Sequence, residues 1–177
     1  NMSKAKKPAE SMSVMTEIVM PNDSNTLNNL MGGNLLKWMD VAAAICARRH
    51  AECTCVTAAV DNVSFKSPIK IGEIVTITAK ATRVFNTSME VALVVHAEGM
   101  GIHRRRKCNE AFMTFVGIDE WGNKIHLPPL LPETETEKKE FDAALRRREM
   151  RLILAGRMQP NQSEQLMDLF LKANKTL

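Results

Sequence analysis

The chain has 177 residues, of which 45% are hydrophobic and 25% charged, as expected of one ordinary globular domain. Its longest apolar runs are far shorter than the roughly 18 residues of a membrane helix, and its polar, lysine-rich start is unlike a signal peptide, so we expect a cytoplasmic protein without membrane association. The net charge of +4 favours an anionic partner, whereas two Trp, six Phe and no Tyr argue against nucleic acid. A small phosphorylated ligand is therefore the expected partner.

The first predicted elements are a strand and a turn-rich loop. Residues 1–12 are polar and are expected to be disordered. Residues 14–20 favour a strand, which Pro21 ends because proline has no amide hydrogen for a sheet. The loop at residues 21–30 is rich in Asn, Asp and Ser, which favour turns.

The next element is a long helix that begins near Gly32 and ends near His50. It is apolar on nearly every face, which is typical of a helix inside a core. Asp40 lies in the middle of this apolar segment. Because a buried carboxylate is costly in free energy unless it is paired or functional, Asp40 is the first candidate for a catalytic residue.

Four further strands are predicted after the helix, separated by turn signals that favour an antiparallel meander. They cover residues 55–65, 73–85, 88–98 and 104–118. A proline-rich segment then leads to two helices, so we expect residues 131–177 to form a helical extension. An α+β fold, with an antiparallel sheet wrapped around one central helix, is the simplest way to bury a helix that is apolar on so many faces.

The cysteines do not indicate a metal centre. Their spacing differs from that of a zinc site, and we expect reduced thiols and no metal. The four residues are Cys46, Cys53, Cys55 and Cys108.

An ordered series of short blocks resembles the hotdog-fold acyl-CoA thioesterases, in particular brain-type acyl-CoA hydrolase and its bacterial relatives. The blocks are MPNDSN (20–25), NLMGG (29–33), WMDVAA (38–43), VTAAVD (56–61), FKSPI (65–69), TSMEV (87–91), AFMTFV (111–116) and PPLLPETE (128–135). The resemblance implies a hotdog fold over residues 13–130, with a five-stranded sheet around one helix. It also implies homodimers joined edge to edge, often assembled as a trimer of dimers.

The resemblance implies hydrolysis of fatty acyl-CoA to a free acid and CoA, with no cofactor. In that branch the catalytic acid is the Asp of the Met-Asp pair in the helix, which here is Asp40. Its helper is the Asn before the Gly-Gly pair, which here is Asn29.

The residues themselves add a geometric constraint. Free N–H groups at the helix start, with Gly32 and Gly33, would let a thioester carbonyl approach closely. Gly33 and Asp40 are about 10 Å apart along the helix, at about 1.5 Å per residue. One thioester cannot contact both, so we expect Asn29 and the glycine amides to face Asp40 of the partner subunit. That carboxylate would act as a general base on water or as a nucleophile through an anhydride.

Binding of the CoA phosphates requires cations, and the predicted contacts are basic residues and one turn. They are Lys66, Arg83, Asn86, Thr87, Ser88, Arg105 and Lys107. His50 and His103 lie in basic clusters and are expected at the surface. Two other functions stay open: a hotdog hydratase or dehydratase, which would need a His near Asp40, and a non-catalytic acyl-CoA-binding protein.

Overall fold

The computed structural model describes residues 4–65, 67–101 and 105–174. The helices are α1 (Pro8–Ser11), α2 (Gly32–Ala51), α3 (Glu135–Leu154) and α4 (Glu164–Ala173). The strands are β1 (Ser13–Ile18), β2 (Thr54–Asp61), β3 (Ile74–Val84), β4 (Ser88–Glu98) and β5 (Arg105–Ile118). Hotdog architecture is therefore confirmed: a curled antiparallel sheet holds one long central helix.

The five strands form one sheet in the order β1-β3-β4-β5-β2. The predicted meander is correct for β3, β4 and β5, but it is wrong for β2, which pairs with β5 at the far edge of the sheet. The reason is the length of α2, whose 20 residues extend for about 30 Å. This helix contacts every strand and carries the chain from the β1 edge to the opposite edge, where β2 begins.

The core lies between α2 and the inner face of the sheet. Met39, Ala42, Ala43 and Cys46 are fully buried, and the two alanines allow the helix to lie close to the strands. The opposite face of α2 is not fully covered by the described residues, as the 41% exposure of Val41 on that face shows.

The N-terminal segment is ordered from the first described residues, so the prediction of disorder through residue 12 is wrong for this part. Lys6 N–H donates to Pro129 O, and Leu131 N–H donates to Lys6 O. Lys6 Nζ also donates to the carbonyl oxygen of His50. The backbone bonds attach the segment to residues 129–131, and the Lys6 side chain attaches it to the end of α2.

His50 is also different from its prediction, because its side chain is fully buried rather than at the surface. Its Nε2 lies 2.8 Å from Pro128 O, and burial lowers the pKa of the imidazole. The proline-rich segment reaches the ring through the carbonyl oxygen of Pro128, a contact that the basic neighbours of His50 in the sequence did not reveal. His103 lies outside the described residues.

The chain divides into two compact units, residues 1–133 and 134–177. In the second unit, α3 begins with a capping box in which Thr134 Oγ1 accepts from the N–H of Glu137. A short 3₁₀ helix at Pro160–Gln162 precedes α4. Among the described helices of both units, none is long and apolar enough to cross a membrane.

Candidate active site

Asp40 is held by a hydrogen bond to the edge strand. Thr57 Oγ1 donates to Asp40 Oδ1 at 2.7 Å, which joins the middle of α2 to β2. Within the described residues no cation forms a salt bridge with Asp40. The carboxylate therefore has one oxygen oriented by Thr57 and no ion pair among the described residues, although Lys37 lines the same groove. The sequence pattern did not indicate Thr57 as a partner for Asp40.

A β-bulge in β2 places Thr57. The pairing with β5 shifts between Thr57 and Ala59, so Ala58 is an extra residue in the strand. Side chains normally alternate between the faces of a strand, which would put positions 57 and 60 on opposite sides. With the extra residue, Thr57 and Val60 both face α2 and line the same groove as Asp40.

This groove has a volume of about 400 Å³. Its lining residues are Gly33, Leu36, Lys37, Asp40, Thr57, Val60 and Met113. Most of the wall is apolar, and Asp40 is the one carboxylate among the described residues that line it. In such surroundings the attraction between a carboxylate and a polar reactant is stronger than in water.

A second cavity, of about 170 Å³, lies at the start of α2. Its described lining combines three asparagines, two serines and one cysteine with apolar residues. The asparagines are Asn25, Asn29 and Asn109. Gly32 also lines it, and a Cβ at this position would lie 3.3 Å from the ring of Phe65, so glycine allows that ring to pack on the helix start.

Asn25 organises the loop that forms this cavity. Its Oδ1 accepts from the backbone N–H groups of Leu27 at 3.0 Å and Asn29 at 3.2 Å. The backbone of Asn29 in turn accepts from the Asn25 N–H at 2.8 Å, and Asn28 adopts a left-handed conformation, with φ of 60°. These bonds fix the plane of the Asn25 amide. The sequence did not single out Asn25 because most residues of this loop are good turn formers.

Asn29 and Asp40 are not brought together within one chain. Asn29 and Gly32 line the cavity, whereas Gly33 and Asp40 line the groove. The predicted set Asn29, Gly32 and Gly33 is thus divided between two surfaces of α2. A Cβ added to Gly33 would meet no atom within 4 Å, so that side of the helix start is open.

The predicted CoA contacts form two groups at opposite ends of the sheet. Ser88 begins β4, and Arg105 pairs with Glu98 at the other end of that strand. Ten residues of strand separate these ends by about 33 Å at 3.3 Å per residue. Arg83, Asn86 and Thr87 belong to the Ser88 end and Lys107 to the Arg105 end, while Lys66 lies outside the described residues.

The turn at the Ser88 end is well packed. Asn86 adopts a left-handed conformation, with φ of 74°, and its side-chain oxygen faces Nδ1 of His126. Thr87 O accepts from the N–H of Gly117, and the Arg83 guanidinium lies 5.5 Å from the Phe85 ring centre.

The basic end contains one strong ion pair. Arg106 forms two hydrogen bonds to the Glu73 carboxylate, at 2.5 and 2.9 Å, and a third to Pro68 O. The hydrogen bond from Arg106 lowers the pKa of the Glu73 carboxyl. Lys107 pairs with Glu110 at 2.9 Å, where both side chains are about half exposed. Arg106 therefore stabilises the fold. Arg105 is exposed, whereas Arg106 is only partly exposed.

Comparisons with known proteins agree with this fold. The family model of the thioesterase superfamily matches residues 27–102. The mouse protein "Acyl-coenzyme A thioesterase 11" is 41% identical over 141 residues, which are 80% of this chain and 24% of that protein. The human "Cytosolic acyl coenzyme A thioester hydrolase" is 36% identical over 134 residues, which are 75% of this chain and 35% of that protein. The chain thus spans about a quarter to a third of these curated relatives.

Solved structures match over nearly their full length. Acyl-CoA hydrolase from Bacillus cereus has a TM-score of 0.82 and 35% identity, covering 86% of this chain and 93% of that one. A hexameric acyl-CoA thioesterase has a TM-score of 0.82 and 34% identity, covering 86% and 98%. Acyl-CoA hydrolase from Staphylococcus aureus in complex with butyryl-CoA and CoA has a TM-score of 0.78 and 32% identity, covering 86% and 94%.

Three further structures of the S. aureus enzyme carry single alanine substitutions. One replaces an aspartate, one an asparagine and one a threonine. In that enzyme the asparagine precedes the aspartate by fifteen residues, and the threonine follows it by seventeen.

Proposed function

This chain belongs to the hotdog-fold acyl-CoA hydrolases of the thioesterase superfamily, and from that premise we propose that it hydrolyses acyl-CoA to a free carboxylic acid and CoA. The observation that carries the proposal is the hydrogen bond from Thr57 to Asp40 in an apolar groove. These two residues are seventeen positions apart, and so are the aspartate and the threonine that are replaced in the S. aureus enzyme.

Asp40 is the proposed catalytic carboxylate. Thr57 holds Oδ1, so Oδ2 either takes a proton from the attacking water or attacks the thioester carbonyl itself. In the first route water adds to the carbonyl and the C–S bond breaks. In the second an acyl anhydride forms on Asp40 and water then opens it. In both, CoA leaves as thiolate and is protonated, so no cofactor is required and CoA is part of substrate and product.

The carbonyl oxygen needs hydrogen-bond donors where negative charge develops. Asn29, with the amides of Gly32 and Gly33, is one candidate for this role. Asn25 is a second candidate, because it lies fifteen residues before Asp40, the spacing of the replaced asparagine in the S. aureus enzyme. Its Oδ1 is engaged by the loop backbone, which leaves its Nδ2 hydrogens to face a substrate.

The complete site is proposed to contain two subunits. The Asn25 cavity and the Asp40 groove are separate in one chain, as the spacing along α2 requires. β2 is an edge strand, and its Val56 and Val60 are 43% and 40% exposed. An apolar edge strand favours pairing with a second copy. We infer a homodimer through this edge, and the hexameric neighbour supports a trimer of dimers.

The predicted CoA contacts lie at opposite ends of the sheet. We therefore propose that one CoA molecule contacts two neighbouring subunits, one end of the sheet from each. Its phosphates would contact Arg105 and either Lys107 or Lys66, and its pantetheine arm would contact the turn at residues 86–88.

A cytoplasmic location is also proposed. The four cysteines, which form no disulfide with one another, and the name of the human relative support it.

A hotdog hydratase or dehydratase is a weaker alternative. Such an enzyme would need a His near Asp40, but no histidine is among the described residues that line the groove or the cavity. His50 is buried about 15 Å further along α2, at 1.5 Å per residue. A non-catalytic acyl-CoA-binding protein is the alternative that experiment must distinguish from the proposed hydrolase.

The test is release of free CoA thiol from acyl-CoAs of increasing chain length. Asp40→Asn keeps the shape of the side chain and removes the base, so we expect kcat to fall by about 100-fold or more. Asp142→Asn, an exposed substitution in α3, is the matched control. Wild-type turnover by a folded Asp40→Asn protein would exclude the mechanism, and CoA binding without any thiol release would favour the non-catalytic alternative.

A further inference from the structure

Asn109 is a buried polar residue with an unused hydrogen-bond donor. The residue is 7% exposed, and its Nδ2 is buried with no partner among the described residues. Buried amide groups in folded proteins almost always have a partner. An exception that lies in the wall of a cavity indicates a place for a ligand or a water molecule.

A second bulge brings Asn109 to that cavity. The pairing of β4 with β5 shifts after Val95, which faces Asn109, so Cys108 is an extra residue in β5. Consecutive side chains normally lie on opposite faces of a strand. Here both Cys108 and Asn109 line the cavity at the start of α2, together with Asn25 and Gly32. The bulge therefore adds a polar group to the proposed carbonyl-binding half of the site.

The size of this cavity limits what it holds. Its volume of about 170 Å³ is close to that of a 150 Å³ cavity that binds benzene. A chain of about four to six carbons fits such a space. The described lining includes no charged side chain, and it presents Ser64, Ser67 and the asparagines rather than a uniformly apolar wall. A saturated chain in this space would leave Asn109 Nδ2 unpaired.

We propose that this cavity selects short acyl groups that carry a hydroxyl or oxo oxygen, and that Asn109 Nδ2 donates a hydrogen bond to that oxygen. The inference rests on the proposed thioesterase activity and specifies its substrate class. A substrate oxygen gives Nδ2 the partner that it lacks among the described residues, whereas a methylene group leaves the buried donor unpaired. Sites built to bond an oxygen discriminate strongly against analogues that lack it.

The experiment compares two matched pairs of substrates by thiol release. These are 3-hydroxybutyryl-CoA with butyryl-CoA, and 3-hydroxyhexanoyl-CoA with hexanoyl-CoA. We expect the wild-type kcat/KM to favour each hydroxyacyl substrate by about tenfold or more, the value of one hydrogen bond. Asn109→Leu, which has nearly the same shape and no donor, should bring both ratios to about one or below.

Two further measurements separate recognition from structure. Asn22→Leu, at an exposed position outside both cavities, should keep the wild-type ratios. The Asn109→Leu protein should unfold at the same or a higher temperature, because the substitution removes an unpaired buried donor. A lower unfolding temperature would mean that Asn109 has a structural partner, which contradicts the inference.

Other results would also overturn it. Equal hydrolysis of the saturated and hydroxylated substrates by the wild type would mean that the cavity does not select oxygen. An equal loss of kcat/KM for both members of a pair in Asn109→Leu would place Asn109 against a part common to all acyl-CoAs. Each of these results leaves acyl-CoA hydrolysis intact, whereas failure of the proposed function would appear as no thiol release from any of the four substrates.

Discussion

Thr57 and Asp40 are joined by a hydrogen bond of 2.7 Å that links the edge strand β2 to the middle of α2. The donor lies next to the bulge at Ala58, and the acceptor lies on the one helix in the core. The orientation of the carboxylate is therefore set by a strand whose outer edge pairs with no other strand in the described part of the chain. Pairing of that edge with a second copy would fix the strand, and with it the direction of the Asp40 carboxylate.

Thr57→Val is the most direct test of this relationship. The substitution keeps the β-branched shape and removes the hydroxyl, so Asp40 loses the group that orients it. A hydrogen bond to a charged group is worth about 1.5–3 kcal/mol, so we expect kcat to fall by about 10- to 100-fold. KM should change little, because the groove keeps its shape.

Thr57→Ser provides the matched control, since it retains the hydroxyl. It should recover most of the activity, and thiol release at saturating substrate is the measurement. Equal activity of the Val and Ser variants would show that the hydrogen bond has no role in turnover.

Asn25→Asp separates catalysis from loop structure. The aspartate keeps an oxygen to accept from the N–H groups of Leu27 and Asn29, but it loses the amide hydrogens that would face the thioester carbonyl. We expect the unfolding temperature to stay near that of the wild type and kcat to fall by about 100- to 1,000-fold, the usual effect of removing an oxyanion donor.

Asn29→Asp makes the same chemical change at the residue first predicted for this role. No described hydrogen bond involves the Asn29 side chain, so its effect on the loop should also be small. If Asn29→Asp abolishes thiol release and Asn25→Asp does not, the donor is Asn29 and the spacing argument for Asn25 fails.

The sequence predicted most of the fold because its signals are local. The predicted ends of the apolar helix around Asp40 and of the strands lie within four residues of the observed ends. The pairing of β2 with β5 was missed, because it depends on where α2 delivers the chain rather than on any pattern in β2.

The candidate site was predicted less completely. Asp40 was identified because an acidic residue stands out in an apolar helix, and the family resemblance indicated the loop before it. Thr57 and Asn109 could not be found in this way. Each depends on a bulge that reverses the normal alternation of side chains, and neither bulge residue, Ala58 or Cys108, has a distinctive sequence signal.

His50 should make the stability of the protein depend on pH. Burial is the main cause of its lowered pKa, and the positive charge of Lys6 acts in the same direction, while the hydrogen bond to Pro128 opposes them. The unfolded chain therefore binds a proton at higher pH than the folded chain. The free energy of unfolding should be highest above about pH 6.5 and should fall at lower pH, by at most about 1.4 kcal/mol per pH unit.

Urea unfolding between pH 8 and pH 5 measures this effect. His50→Gln retains a side-chain N–H for the carbonyl of Pro128 but does not titrate. It should be less stable than the wild type at pH 8, and its stability should change less between pH 7 and pH 5. A variant with the same pH slope as the wild type would show that another group is responsible.

The two-subunit site makes a quantitative prediction for hybrid dimers of Asp40→Asn and Asn25→Asp. Each variant alone lacks one half of every site. In a hybrid, one site receives both substitutions and the other receives the native Asn25 from one subunit and the native Asp40 from its partner. Hybrids isolated with two different tags should therefore recover about half of the wild-type activity, as expected for two equivalent sites in a symmetric dimer. If Asn25 and Asp40 of the same chain worked together, every site in the hybrid would contain one substitution. Hybrids of verified composition would then show only the mean of the residual activities of the two variants, and that result would exclude a shared site.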